Sequence, residues 1–302
     1  LLFLEPSGEQ RDRVQNFMGP VTFLATLERI KRNEGTLTGL AAAVAENGND
    51  VSLRLDYASK LRDFRRAGPM NEQLALVRGM LESEIGFDPG DLEARYVIAQ
   101  KLDALNLKKE ARAQVSAIRR LDPQGESTAM RRILLSDHIE RGRKSRDPAE
   151  LMAFLEQETR HDILHEGWKF VGGIESSLSL RYRDKALEHR ARQRQAWARA
   201  WKFAPADQRA LFGRKLAWEL YERRDEIEES EKALALQIAE RVLSETPEDA
   251  DLLDTLACCL HLNGRTEEAL AALERAIELD PENVRWQLRR REFGGAGIGG
   301  KK

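Results

Sequence analysis

Apolar residues recur at three- and four-residue spacing along almost the whole chain, in successive segments closed by Gly, Pro or Asn. That is the period of helices with one buried face. It predicts helices over residues 20–32, 37–46, 51–66, 70–84, 91–105, 108–120, 128–142, 148–158, 162–179, 184–203, 207–223, 229–244, 250–262 and 266–279. Alternation with the two-residue period of a strand is confined to the first seventeen residues. The chain is expected to be mostly α.

The helical segments repeat. Pro89 and Pro123 are 34 residues apart, as are Pro247 and Pro281, and three of these prolines follow Asp88, Asp122 and Asp280. Each sits where one helix should stop and the next begin, because the residue before proline is pushed out of the helical region. The last unit reads Leu253-x-x-Leu256-Ala257-x-x-Leu260, then Gly264, Ala269-x-x-x-Leu273, Ala276 and Pro281. An earlier one reads Ile98-Ala99-x-x-Leu102, Ala111-x-x-x-Val115 and Pro123. Small residues at these points let two helix backbones approach, and the larger apolar residues fill what remains.

This pattern and its 34-residue period resemble the tetratricopeptide repeat, with Ala99, Ala111, Pro123, Leu256, Ala257, Ala269, Ala276 and Pro281 at repeat-defining places. Leu253 and Leu260 stand where the family carries Trp and Tyr, and Arg95 takes the aromatic place in the earlier unit. More divergent units are expected around Ala58, Leu61, Gly68 and Pro89, around Trp168, Trp197, Ala200 and Pro205, and around Trp218, Leu236 and Pro247. The resemblance implies an α-solenoid of helical hairpins over residues 35–292.

The first thirty residues resemble a different family, the closing portion of a thioredoxin fold. Residues 1–8 look like the strand after that family's cis-proline, residues 9–17 like its edge strand, and Gly19-Pro20 opens an amphipathic helix carrying Phe23, Leu24, Leu27 and Ile30. Asn16 departs from the usual glycine. The expected organisation is therefore a β-hairpin plus helix over residues 1–34, the repeats over 35–292 and a Gly-rich tail over 293–302. Such a pairing resembles bacterial thioredoxin-family proteins that carry tetratricopeptide repeats. Leu1 in place of Met reads as the loss of an N-terminal part, which leaves the compartment open. A lone hairpin and helix are expected to bury little surface.

Composition narrows the chemistry. Lys and Arg (49) nearly balance Asp and Glu (51), so no overall field draws nucleic acid or an acidic membrane. No apolar run is long enough to span a bilayer. Cys258 and Cys259 are adjacent, which gives neither a disulfide framework nor a zinc site, and neighbouring residues on a helix diverge too far to act as a dithiol. His161 and His165 share a helical spacing that can hold zinc, but Asp162 stands where a metalloprotease has Glu, and surface histidines are the simpler reading. Residues 181–202 interleave basic residues with Tyr182, Trp197 and Trp201; an RNA-binding helix is weighed there against a solvated helix whose tryptophans pack on a neighbour. His189 and His261 show no partner in the sequence, and no serine nucleophile or phosphate loop is evident. No cofactor or metal is expected.

The repeat resemblance places partner binding on the concave face of each hairpin's first helix, where i, i+4 and i+7 positions recur. That assigns Tyr96, Gln100 and Asp103 in one unit, and Asp254, Cys258 and His261 in the other. The alternative is that these are solvated or inter-repeat contacts. Neither set holds the Lys and Asn of a carboxylate clamp. Two functions stay open: a scaffold that docks other polypeptides, or the client-presenting part of a thiol-disulfide oxidoreductase whose Cys-x-x-Cys lies upstream.

Overall fold

The computed structural model describes residues 1–14 and 19–294. Asn16 and Phe17, at the end of the expected second strand, and residues 295–302 of the expected tail lie outside the described residues. The chain divides into two compact units, Leu1–Leu134 and Leu135–Lys302.

The first unit opens with an antiparallel hairpin of β1 (Leu2–Leu4) and β2 (Gln10–Arg13), in which Leu2 faces Arg13 and the register shifts between Phe3 and Leu4. Helices α1 (Pro20–Lys31), α2 (Leu37–Glu46), α3 (Val51–Asp63), α4 (Ala67–Glu82), α5 (Leu92–Ala104) and α6 (Lys108–Leu121) follow. Helix α3 pairs with α4 and α5 with α6, and α3 also lies beside α5. Val51, Leu55, Ala58, Leu74, Val77, Ile98, Leu102 and Ala111 form their shared core.

One buried charge ties the hairpin to the helices. The Asp12 carboxylate on β2 has no exposed surface and takes Lys60 of α3 at 2.6 Å and Arg29 of α1 at 2.7 Å. Burial alone would push this carboxyl up, but the Lys60 and Arg29 hydrogen bonds outweigh it and hold it below the usual aspartate range. Around this lock the hairpin leaves apolar surface in water, with Leu1, Leu2, Leu4 and Leu24 all more than half exposed.

Helix α7 (Thr128–Ser145) runs through the boundary between the units. The second unit continues with α8 (Ala149–Glu156), α9 (His161–Arg181), a 3₁₀ turn (Arg183–Lys185), α10 (Ala186–Lys202), α11 (Ala206–Glu222), α12 (Glu229–Glu245), α13 (Ala250–Leu262), α14 (Thr266–Leu279) and α15 (Val284–Phe293). Hairpins form between α9 and α10, α11 and α12, and α13 and α14, while α11 lies beside α13 and α15 packs on α14. Helix α15 is absent from the sequence expectation. Its core-facing residues are only Trp286 and Phe293, set in an arginine-rich stretch whose apolar period is weak. Phe293, expected at the start of the tail, is instead buried in the last turn of this helix.

Three hairpins repeat the same backbone devices. Asp50, Asp91 and Asp249 cap α3, α5 and α13, each carboxylate accepting an N–H from the first turn at 2.9–3.0 Å. At the other end, the carbonyls of Leu61, Leu102 and Leu260 each accept an N–H from five residues ahead, from Arg66, Leu107 and Arg265, at 2.9 Å. This closure needs a left-handed residue just before the donor. Arg65 (φ 58°), Asn106 (φ 64°) and Gly264 (φ 76°) fill that place. The expectation that helices are closed by Gly, Pro or Asn holds for the last two and fails at Arg65, where the Arg66-to-Leu61 closure goes with a pose that side chain disfavours.

Arg65→Gly is expected to stabilise the first unit by about 0.5–1 kcal/mol, and Gly264→Ala to destabilise the second by about 1 kcal/mol, because each changes only the left-handed penalty. Urea midpoints that move in the opposite directions would contradict this account of the turns.

Candidate functional site

The repeat-defining alanines occupy the hairpin interiors. Ala257 on α13 and Ala269 and Ala276 on α14 have no exposed surface, and Ala99 on α5 and Ala111 on α6 are buried. Leu256 packs against the second unit's core half-buried, whereas Pro123 and Pro281 are exposed just beyond the ends of α6 and α14. Before Pro123, the Asp122 carboxylate gathers the N–H groups of Gly125, Glu126 and Ser127 together with the Ser127 hydroxyl, which lowers its pKa. The Asp-Pro pair thus builds its own turn.

Arg95, in the place of the family's aromatic residue, is buried. Its guanidinium donates to the Pro89 carbonyl at 2.6 Å, to Gln114 Oε1 at 2.7 Å and to Glu84 Oε1 at 2.7 Å, and lies 5.1 Å from the Phe87 ring centre. A flat cation with its donors satisfied fills the slot that an indole would fill.

The first expected groove set is open. Gln100 and Asp103 are exposed and Tyr96 is half-buried. Gln100 Nε2 donates to the Tyr96 hydroxyl at 3.2 Å, Arg132 lies over the Tyr96 ring at 5.8 Å, and Asp103 pairs with Lys108 at 2.7 Å. The second set is covered. Arg289 of α15 forms an ion pair with Asp254, Phe293 stacks on His261 with ring centres 4.0 Å apart, and Cys258 has no exposed surface. The unforeseen α15 supplies this cover, so these three residues present their polar groups to the protein itself.

What remains accessible lies beside them. A depression of about 320 Å³ is lined by Arg214, Lys215 and Trp218 of α11, Asp251, Asp254 and Thr255 of α13, and Arg285 of α15. Arg214 reaches Asp251 at 3.4 Å, while Lys215 and Arg285 have no carboxylate partner among the described residues. Trp218 stands 5.6 Å from Tyr221, centre to centre, with Arg289 over its face at 5.3 Å. The lining thus sets one aromatic ring among three cations and two carboxylates. The sequence signal for this surface was available, since Asp251 and Arg285 are separated by the 34-residue period.

Burial settles the character of the thiols. Desolvation pushes Cys258 up to about 12 and Cys259 higher still, and it also lifts Tyr221, within hydrogen-bonding reach of Cys258, to about 12. Neither thiol supplies a thiolate near neutral pH.

The other singled-out residues have structural partners. His165, expected at the surface, is buried, with Nδ1 2.9 Å from the Ala200 carbonyl in the last turn of α10. His161 is exposed and packs near Phe203 at 5.2 Å. No group of three or more His, Cys, Asp and Glu suited to a metal occurs among the described residues. His189 does have a partner, the buried Glu175 at 2.6 Å. In α10, Arg194 is buried against Glu231 at 2.7 Å, Arg190 meets Glu226 at 3.0 Å, and Arg199 covers the Trp168 ring at 4.5 Å. Arginines of α10 thus pair with the loop before α12 and with its first turn. No helix among the described residues is long and apolar enough to cross a membrane.

Comparison with known proteins bears on the last hairpin. Residues 250–283, spanning α13 and α14, match the tetratricopeptide-repeat family. The chain carries a tetratricopeptide repeat. No curated protein matches the chain. Solved structures similar to it include a MamA double mutant, 19% identical over 54% of this chain and 83% of that one, with a TM-score of 0.34. Another is YrrB, described as a TPR protein with an unusual peptide-binding site, 13% identical over 83% and 97% of the two chains at a TM-score of 0.32. A further MamA structure is 12% identical over 78% and 95%, at a TM-score of 0.29.

The thiols make the tetratricopeptide hairpin sensitive to alkali. Because folding raises the pKa of Cys258, stability is full below the ordinary thiol range and falls as pH climbs from about 9 towards about 12, by up to about 1.4 kcal/mol per pH unit for each raised group. Cys258→Ala is expected to flatten the fall between about pH 8 and about pH 10 in denaturant titrations. An unchanged slope in that variant would show that the thiol ionises alike in both states.

Proposed function

We propose that the protein is a non-catalytic scaffold that docks other polypeptides through its tetratricopeptide hairpins. The observation that carries this reading is the accessible depression across α11, α13 and α15, set against the repeat at residues 250–283 and holding Trp218 between Lys215 and Arg285. An extended segment bearing carboxylates suits it, with Trp218 as the apolar anchor. On the same reading, Tyr96, Gln100 and Asp103 offer a second contact face, whereas Asp254, Cys258 and His261 act by fixing α15 and so shaping the wall of the depression.

Peptides selected from a random library on the wild-type chain should bind about tenfold or more weakly to Trp218→Ala and to Arg285→Glu, with Tyr96→Ala as the probe of the other face. Undiminished binding by both Trp218→Ala and Arg285→Glu would move the docking site elsewhere.

A second reading makes the chain part of a thiol-disulfide oxidoreductase. It is favoured by the order of β1, β2 and α1, which follows the strand, turn, strand and helix expected of a thioredoxin-fold closing portion, and by the apolar surface of Leu1, Leu2, Leu4 and Leu24. The reactive dithiol would have to lie outside residues 1–302, because Cys258 and Cys259 are buried and protonated. Under this reading the product of the complete coding sequence reduces insulin disulfides. A complete coding sequence with no Cys-x-x-Cys ahead of Leu1 would end it.

A further inference from the structure

The surface of the second unit between the end of α7 and the face of α9 holds a cavity of about 610 Å³ that the scaffold reading does not use. Its wall includes Arg143, Arg146 and Arg181, and its floor and rim include Phe170, Ile174 and Leu180, with no carboxylate lining it. None of the three arginines has an ion-pair partner among the described residues. Two rest on aromatic rings instead, Arg143 at 5.9 Å from Phe170 and Arg181 at 5.8 Å from Tyr182. Leu180 is 81% exposed, an apolar side chain left in water at the edge of a concave, cationic site.

The glycines of α9 sharpen the point. A Cβ at Gly172 would collide with the Trp197 ring at 2.3 Å, so packing against α10 requires that glycine. A Cβ at Gly173 would meet nothing within 4 Å, and Gly173 has no left-handed backbone to excuse it. A glycine inside a helix is destabilising against alanine. At residue 173 neither packing nor backbone requires it, and the residue lines the cavity.

We propose that this cavity binds a soluble amphiphilic anion: a phosphate or carboxylate head held by Arg143, Arg146 and Arg181, joined to an apolar body lying on Phe170, Ile174 and Leu180. The volume falls in the range of small-molecule sites, guanidinium forks match such heads in pairs of hydrogen bonds, and the apolar floor offers a surface for the ligand's body to cover. The site is separate from the proposed polypeptide groove, so failure of one reading leaves the other standing.

The test is calorimetric titration of the full chain with octyl phosphate, alongside octyltrimethylammonium and inorganic phosphate. Saturable binding of octyl phosphate is expected, with the cationic analogue silent and inorganic phosphate weaker by about tenfold or more. Arg143→Gln and Arg181→Gln should each weaken binding by about tenfold, since each removes charge-assisted hydrogen bonds. Both side chains are exposed and without acidic partners, so their loss leaves the fold intact. Gly173→Leu, which puts a side chain into the cavity lining, should abolish binding while helix content stays the same or rises, since a helix favours leucine over glycine. Equal binding of the cationic analogue, full affinity in Gly173→Leu, or binding only to phosphatidylglycerol vesicles and not to the soluble probe would each overturn the proposal.

Discussion

Close approach of paired helices is the constraint from which the rest of the structure follows. At Ala58, Ala99 and Ala257 the first helix of a hairpin carries a methyl group and nothing more, and all three are buried. A larger residue at such a point forces backbones apart and costs about 1–3 kcal/mol through strain and lost contacts. Three residues later the same helices carry buried Leu61, Leu102 and Leu260, whose carbonyls close the turn onto Arg66, Leu107 and Arg265. Side-chain size fixes the separation of the two helices, and the turn fixes their angle. Both must be right together, which is why the three units keep these devices while most other positions drift.

Charge acts as the second organiser. Several ion pairs link elements distant in sequence and sit partly or wholly out of water: Asp12 with Lys60 and Arg29, Arg95 with Glu84, Arg194 with Glu231, Asp254 with Arg289. Desolvation consumes much of the attraction in such pairs, so their net contribution to stability is small. Removing one partner is another matter, because the survivor is then a buried charge without compensation. These pairs therefore penalise wrong registers more than they deepen the right one. Asp12 shows this most plainly, since a hairpin docked one residue out of place would bury the carboxylate away from both cations.

Much of this was legible in the sequence, and the failures have physical causes. The fourteen expected helices correspond to α1 through α14, because a strong apolar period survives divergence of individual residues. Helix α15 escaped because it buries only Trp286 and Phe293 and presents arginines on its other faces. That omission carried into the site. Asp254, Cys258 and His261 have the spacing of a ligand face, and spacing cannot report that a later helix lies over them. His165 was misplaced to the surface for a similar reason, since its partner is a backbone carbonyl that no sequence motif marks. Arg95 and Arg65 are the instructive pair. One does an aromatic residue's work through its planar cation, the other a glycine's through imposed backbone geometry, and neither substitution can be read from residue type alone.

Covering by α15 also decides where a ligand can approach the tetratricopeptide hairpin. Arg289 and Phe293 occupy the middle and end of the α13 face, which leaves Asp251, in its first turn, beside Arg214 and Arg285. Arg285 stands in the first turn of α15, where the helix dipole adds to its charge. Asp251 offsets part of that field, and Arg214 offsets Asp251 in turn. The residual field is therefore positive and local, concentrated between Lys215 and Arg285 beside the Trp218 ring. On the proposed docking reading, a chain with almost no net charge would tell acidic from basic segments by which few cations lack partners and not by the total.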